Sequence, residues 1–535
     1  MQKQEKRKRY KEKGITLVAL VITVIVLLIL AGVSITMLIG ENGIITQAQR
    51  AAQDTEQAQR DEEAELSNLE TAIQEALGNV YNEQKGVNVP KLASGMTPIK
   101  FKEPSGTEKG SIIETTSEDE EWYEYGTEGS KKKWANATTE DGSMWVWIPR
   151  FAYKITYYTD STKQTLSKEK TLYADIDIVF LKGTSNNYID KNGNVGVAQK
   201  ITSGVGEEYT NSQKNGNKYI VHPAFTDGTN NGFVNGEWDE EITGFWMAKF
   251  EMSMETDGSH TETSSYTIGN VLTNDKIKAV SKPGVSSWRY CQVGNWYTNG
   301  LNYNSNLNSH AIKNSEWGAV SYLTYSEYGR NGIKLTINNS SNYITGNAGN
   351  TIDAMPEEGI VNEYNTEAGV LASTTGNMYG IYDMSGGAND ATMAYITSGS
   401  DFLETYGSSF ASMDYSSKGD THYRAISTKY ATAYPQGEST TETVGIETGY
   451  NYWNTIYGDA IVEVSVENLE NTELYQTIYG DIIEFETGKK SAEPFFIRGG
   501  IYQYGSNAGA FRASDFASSV YNNGGGFSCR FVLVI

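Results

Sequence analysis

Only two cysteines, Cys291 and Cys529, occur among 535 residues. There is no CxxC pair, which excludes a thiolate zinc site, and two sulfurs are too few for a fold stapled by several disulfides. A single disulfide stays open, because sequence alone does not bring two sulfurs within bonding reach. Histidine is nearly as scarce: His222, His260, His310 and His422 are the four present. None lies in a His-Glu-x-x-His pattern and no Gly-x-Ser-x-Gly elbow occurs, so zinc-protease and α/β-hydrolase chemistry are excluded, and the histidines read as surface or turn residues. Positive charge is also short. Against 66 Asp and Glu there are 43 Lys and Arg, a formal net charge of −23. Nucleic-acid binding needs a basic face and is therefore not expected; the ordinary consequence of such a charge is solubility and self-repulsion.

Charge is missing altogether from Gly14 to Gly40, and this is the strongest local signal in the chain. Ile15 to Ile39 is an uncharged, predominantly apolar run, long enough as a helix to span the roughly 30 Å of bilayer hydrocarbon. The basic residues 1–13, with Lys3, Lys6, Arg7, Lys8, Arg9, Lys11 and Lys13, are expected to stay cytoplasmic and leave the remainder outside the cell. The run is too long for a cleaved secretory signal. Residues 45–77 are rich in Ala, Gln and Glu, and Leu66, Leu69, Ile73 and Leu77 share one helical face, predicting a stem. That stem either packs on its own domain or associates with a second copy.

Further along, residues 84–140 hold Pro90, Pro98, Pro104 and the acidic run Glu118–Glu121, and read as a linker. Beyond them, short aromatic or β-branched runs such as Trp145-Val146-Trp147-Ile148 alternate with Gly/Asn/Ser turns, the pattern of strands. The 36 tyrosines and 54 glycines agree with that reading. One helix is predicted over Ser315–Tyr322. Asp190-Lys191-Asn192-Gly193-Asn194 begins like a calcium loop, but Val195 and Ile201 stand where the turn glycine and bidentate glutamate belong, so it reads as an Asn-Gly turn.

Two resemblances follow from these residues. Lys13-Gly14-Ile15-Thr16-Leu17 resembles the leader of type IV pilins, which implies cleavage after Gly14 and methylation of Ile15. The usual glutamate at the fifth mature position is Ala19 here, which argues against filament assembly. From about 140 onward, six segments resemble, in order, the landmarks of the formylglycine-generating-enzyme-like (sulfatase-modifying factor) domain. They are Met144–Arg150, Phe245–Glu251, Asn314–Ala319, Gly380–Gly386, Phe496–Gly500 and Ser528–Val532. The resemblance implies a C-type-lectin-like fold. The expected class is thus α+β: basic leader 1–14, transmembrane or pilin-like helix 15–40, helical stem 41–83, linker 84–140, and a lectin-fold domain 141–535 with insertions near 156–240 and 400–493.

The same resemblance bears on function. The family's oxidase chemistry uses two cysteines shortly after Arg-Gly-Gly, and the matching positions here are Tyr504 and Gly509, so the head is expected to be catalytically dead and to need no cofactor. The family's structural calcium ligands fall here on Gly387, which has no side chain to offer, and Asp390, which stays as the candidate ligand. Between Arg498 and Arg530, Tyr502, Tyr504, Asn507, Phe511, Arg512, Asp515, Phe516, Tyr521 and Asn522 lie among Gly, Ala and Ser, as in a paratope. These nine are the candidate ligand-binding residues, for a protein or glycan partner. The expected function is a surface-displayed receptor or adhesin held in the cell membrane, with a minor pilin or pseudopilin subunit, capable of pilin-like self-association, as the alternative and a divergent enzyme as the third reading.

Overall fold

A computed structural model describes residues 80–200, 218–227, 238–256, 259–260, 271–272, 277–356, 362–396, 401–414, 422–425, 429–434, 457–467, 474–484, 493–516 and 525–535. The leader, the apolar run Ile15–Ile39, the processing pair Gly14 and Ile15, and the stem over 45–77 lie outside the described residues.

Nine elements carry the architecture, in chain order: β1 (Met144–Pro149), β2 (Gly244–Ala248), α1 (Val293–Tyr303), α2 (Asn314–Tyr325), β3 (Asn389–Ile396), α3 (Asp401–Tyr406), β4 (Phe495–Gly499), β5 (Gly509–Phe516) and β6 (Phe531–Leu533). One sheet has seven strands. It runs from His310–Ala311 through β6, β2 and β1 to Asn136–Thr138, Thr97–Lys102 and Ser111–Glu114. The other has eight, with Thr432–Tyr434, β3, β4, β5, Ile482–Glu484, Leu474–Thr477 and Ser465–Glu467 in order, and Phe527–Ser528 added beside β3.

The strands form where the sequence is aromatic or β-branched without interruption. In β1 and β2 every side chain is buried, and Trp147 lies opposite Trp246 with ring centroids 5.4 Å apart. A strand covered on both faces has no need of polar alternation, so it reads as one continuous apolar run. Helix α2 begins where the Lys313 N–H donates to the Glu316 carboxylate at 3.0 Å. All twelve of its residues are buried.

The expected α+β class is overturned by the described residues, and the long N-terminal helix that went with it lies outside them. Among the described residues strand outweighs helix, most of it in two large sheets, with three α-helices of eleven, twelve and six residues. Among the described residues no helix is long and apolar enough to cross a membrane. The physical reason is the punctuation: Gly and Asn recur too often for apolar stretches to grow into helices, and each short run pairs with another strand instead.

The linker assignment also fails. Residues 84–140 contribute two strands at one side of the seven-stranded sheet and a third, Asn136–Thr138, beside β1. Trp122, Tyr123, Tyr125 and Trp134 belong to the main core. Residues 81–83 are no stem either, because Tyr81–Asn82 pairs with Val87–Asn88 as a short hairpin. Both expected insertions supply core: Phe151–Tyr157 pairs with Ala174–Phe180, and Ser465–Glu467, Leu474–Thr477 and Ile482–Glu484 are strands of the eight-stranded sheet. Two histidines expected at the surface are buried. His222 accepts from Ala224 N at 3.2 Å, and burial drives its pKa down to about 3; His310 bonds Glu316 at 2.8 Å.

Candidate functional site

β4 and β5 are antiparallel, with Phe495 opposite Phe516 and Arg498 opposite Ala513; the register then shifts so that Gly499 faces Gly509. The segment between them, Gly500 to Ala508, is therefore the hairpin connection that presents the central tyrosines. Gly499 and Gly500 both take the left-handed backbone (φ +83° and +86°), which only glycine adopts without strain. A Cβ on Gly500 would lie 2.8 Å from Arg512 Cδ and 3.1 Å from the Tyr504 ring, so the hairpin closes tightly at this point.

Beneath the loop the support is rigid. Arg498 is fully buried; its guanidinium donates to the carbonyls of Arg512 (2.9 Å), Asp459 (2.8 Å) and Ala460 (3.2 Å). The Trp317 indole N–H donates to Ala510 O at 2.7 Å, locking β5 onto α2. Tyr502 N donates to Gly387 O at 3.0 Å, and its ring meets Tyr343 edge-on at 5.0 Å, while the Arg289 guanidinium lies 4.1 Å over the Tyr343 ring. The Arg512 guanidinium lies 4.2 Å over the Tyr504 ring and donates to Glu484 at 2.9 Å. Lys334 donates to Ser506 O and pairs with Asp481 at 2.9 Å.

This scaffold sorts the nine candidates. Tyr502 and Tyr504 are half-buried and Asn507 is exposed, beside exposed Gln503 and Ser506. Met355 and Ile352 are exposed close by, with Met355 Sδ 3.5 Å from where a Cβ on Gly505 would sit. Phe511, Arg512, Asp515 and Phe516 point inward, because β5 is buried along its whole length. Phe511 packs against Tyr325 at 4.7 Å and Phe516 against Phe527 at 5.0 Å. These four shape the loop from below; they are not on its outer surface. Tyr521 and Asn522 lie outside the described residues. Asp481, Tyr343, Arg289 and Met355 were missed in the sequence, because each joins the site from a remote segment with no local motif.

Gly509 has a specific reason to be glycine. A Cβ there would stand 2.2 Å from the Asp481 carboxylate, whose other oxygen accepts from Phe511 N at 2.9 Å. The space of a side chain at 509 is thus taken by Asp481.

A second buried centre lies where three of the six sequence landmarks converge. Arg530 Nε donates to Asp390 at 2.8 Å, both groups being fully buried. Asp383 accepts from Gly346 N and Asn338, and Glu251 accepts from Ala388 N at 2.9 Å. Burial raises the Asp390 pKa to about 6, with Arg530 pulling the other way. Burial, then Asp383 and Asp390, hold Glu251 well above the usual carboxylate range. For Arg530 itself burial opposes the charge, but Asp390, Asp383 and Glu251 outweigh it and raise its pKa. Asp390, the candidate calcium ligand, is instead paired with the Arg530 guanidinium. Among the described residues no group of three or more His, Cys, Asp or Glu is placed to hold a metal.

The two cysteines are unpaired and buried, and burial drives both thiols well above their ordinary pKa. They are held as neutral thiols, poor nucleophiles and poor ligands. At the Asp190 turn, the carboxylate accepts from Asn192 N (2.9 Å), Asn194 N (2.8 Å) and the Asn194 amide (2.9 Å), which closes the hairpin internally. No protein-family model matches this chain, and no curated protein matches it.

Proposed function

We propose that this chain is a surface-displayed receptor or adhesin, held in the membrane by the uncharged run Ile15–Ile39, whose Gly500–Ala508 loop captures a protein ligand. The observation that carries this reading is the loop's construction. Tyr502, Tyr504 and Asn507 reach solvent next to Met355, while every layer beneath them is locked by buried arginine and tryptophan bonds. Stiff aromatic groups cost little entropy on binding, and amides beside them adapt their hydrogen bonds, which is the composition of a paratope. Rigid support under such groups is what pre-organises a binding surface.

A non-enzymatic reading is supported by Gly509. The resemblance to the formylglycine-generating-enzyme-like domain would require a thiol at this position, and Asp481 leaves it no room. The remaining cysteines are neutral and buried.

Full-length protein in detergent tests the proposal. Wild type and the double variant Tyr502→Ala, Tyr504→Ala are used to capture proteins from the surface of neighbouring cells. Loss of a specific captured protein with the melting transition kept within a few degrees is the expected result. Capture that survives both substitutions refutes it. The second reading, a pilin-like subunit, is favoured by Lys13-Gly14-Ile15 alone; a methylated Ile15 at the mature N-terminus supports it, and an intact Met1 removes it.

A further inference from the structure

Away from the Gly500 loop, a cleft of about 740 Å³ opens between the turn that precedes β1 and the C-terminal end of α1. Small-molecule sites span roughly 300–1,000 Å³, so the volume suits a compact ligand. On its wall Asp141 is fixed in place by three donors. Its Oδ1 accepts from the Thr139 hydroxyl at 2.7 Å and Ser143 N at 2.9 Å, and its Oδ2 accepts from the Tyr303 hydroxyl at 2.8 Å. Thr139 is held in turn by the Trp145 indole N–H at 3.0 Å. The Tyr303 ring is clamped between Trp145 (5.5 Å) and Phe531 (5.8 Å). Burial, then the Asp141 charge, keeps the Tyr303 phenol protonated by raising its pKa.

The lining selects a ligand class. An ionised carboxylate has about four lone-pair sites, so Asp141 keeps acceptor capacity for an incoming hydroxyl. Asn302, exposed at the rim, both donates and accepts. Ile277 and Leu307 give apolar surface between these groups. The charged lining residues are Glu140, Asp141 and Lys278, too few cations for a phosphate and no aromatic cage for an ammonium ion. A neutral molecule with many hydroxyls on an apolar C–H face matches this mixture of fixed acceptor, adaptable amide and hydrophobic wall.

We infer that the Asp141–Tyr303 cleft is a carbohydrate-binding site for a neutral oligosaccharide, separate from the loop that we assign to protein capture. Full-length protein in a sugar-free detergent is titrated with maltotriose, cellotriose, laminaritriose and chitotriose, by calorimetry and saturation-transfer NMR. At least one is expected to bind, with affinity lowered about tenfold or more in Asp141→Asn and in Asn302→Ala. Asn302 is exposed, so its variant keeps the fold and tests the cleft even where Asp141→Asn unfolds. Tyr502→Ala leaves sugar affinity unchanged. The inference is overturned if none of the four binds wild type, if affinity survives Asn302→Ala and a folded Asp141→Asn, or if Tyr502→Ala abolishes it. Failure of protein capture by the loop leaves this result untouched.

Discussion

Replacing Arg530 by leucine tests the electrostatics of the buried centre most directly. Arg530 is wholly inaccessible and stands against Asp390, Asp383 and Glu251, which are also buried. Its Nε supplies the hydrogen bond to Asp390 Oδ2, while Asp390 Oδ1 and Glu251 Oε2 have no hydrogen-bond partner. Leucine fills part of the volume but leaves three carboxyl groups with no cation. Removing one member of a buried ion pair costs about 3–5 kcal/mol, and the extra carboxylates favour the upper half of that range. The loss also depends on pH. A carboxyl whose folded pKa is raised gives stability that is fully present below its unfolded pKa and is lost as pH rises through the folded value. For Asp390 in the wild type that window runs from 3.8 to about 6. Without Arg530 its upper limit moves higher, so the gap between variant and wild type widens from about pH 5 to about pH 8. Urea unfolding followed by the fluorescence of the buried tryptophans measures both. A loss below about 1 kcal/mol, or one equal at both pH values, refutes the assignment of Arg530 as the counter-charge.

Two further predictions concern the core and the loop support. Glu463 accepts the hydroxyls of Tyr153 (2.7 Å) and Tyr322 (2.9 Å), and burial lifts its pKa to about 7 from 4.5. Wild-type stability should therefore fall between those values as pH rises, and Glu463→Gln should flatten that part of a melting-temperature profile; an unchanged slope removes Glu463 as the cause. Gly509→Ala should destabilise by about 1–3 kcal/mol through overpacking against Asp481. Adding Asp481→Ala should recover part of that loss in a double-mutant cycle, and strictly additive effects would mean the two positions do not collide.

What was legible in the chain were short segments with an unusual residue order. Glu251, Asp383, Arg498 and Arg530 each stood in such a segment, and each is a buried ionisable group in the structure. Buried charge needs fixed partners, and that constraint leaves a local signature. Residues 84–140 were misread because prolines and an acidic run resemble a linker; the better signal was Trp122, Tyr123, Tyr125 and Trp134, too much aromatic surface to leave in water. Helix α1 was not foreseen because Val293–Tyr303 contains two glycines and three asparagines, poor helix formers. Those glycines are explained by packing. A Cβ on Gly300 would meet Ala311 N at 2.3 Å, and one on Gly294 would meet Tyr406 O at 2.5 Å. Tertiary contact outweighs propensity here, and no local pattern reports it.

The candidate loop divides along the same line. Its composition marked out the segment, but composition does not say which side chains face outward. That is decided by β5 lying in the interior of its sheet, with β4 on one side and Ile482–Glu484 on the other. Phe511 and Phe516 are drawn into the core by this pairing, and Arg512 is turned back beneath Tyr504. Only the connection, where strand pairing ends and two left-handed glycines reverse the chain, can present aromatic groups to solvent. The outward placing of the half-buried tyrosines is therefore set by backbone topology, and the inward residues by the need to hold that topology still. A substitution that loosens the inner set, such as Arg512→Ala, should weaken capture without touching the ligand, through Tyr504 losing its guanidinium support.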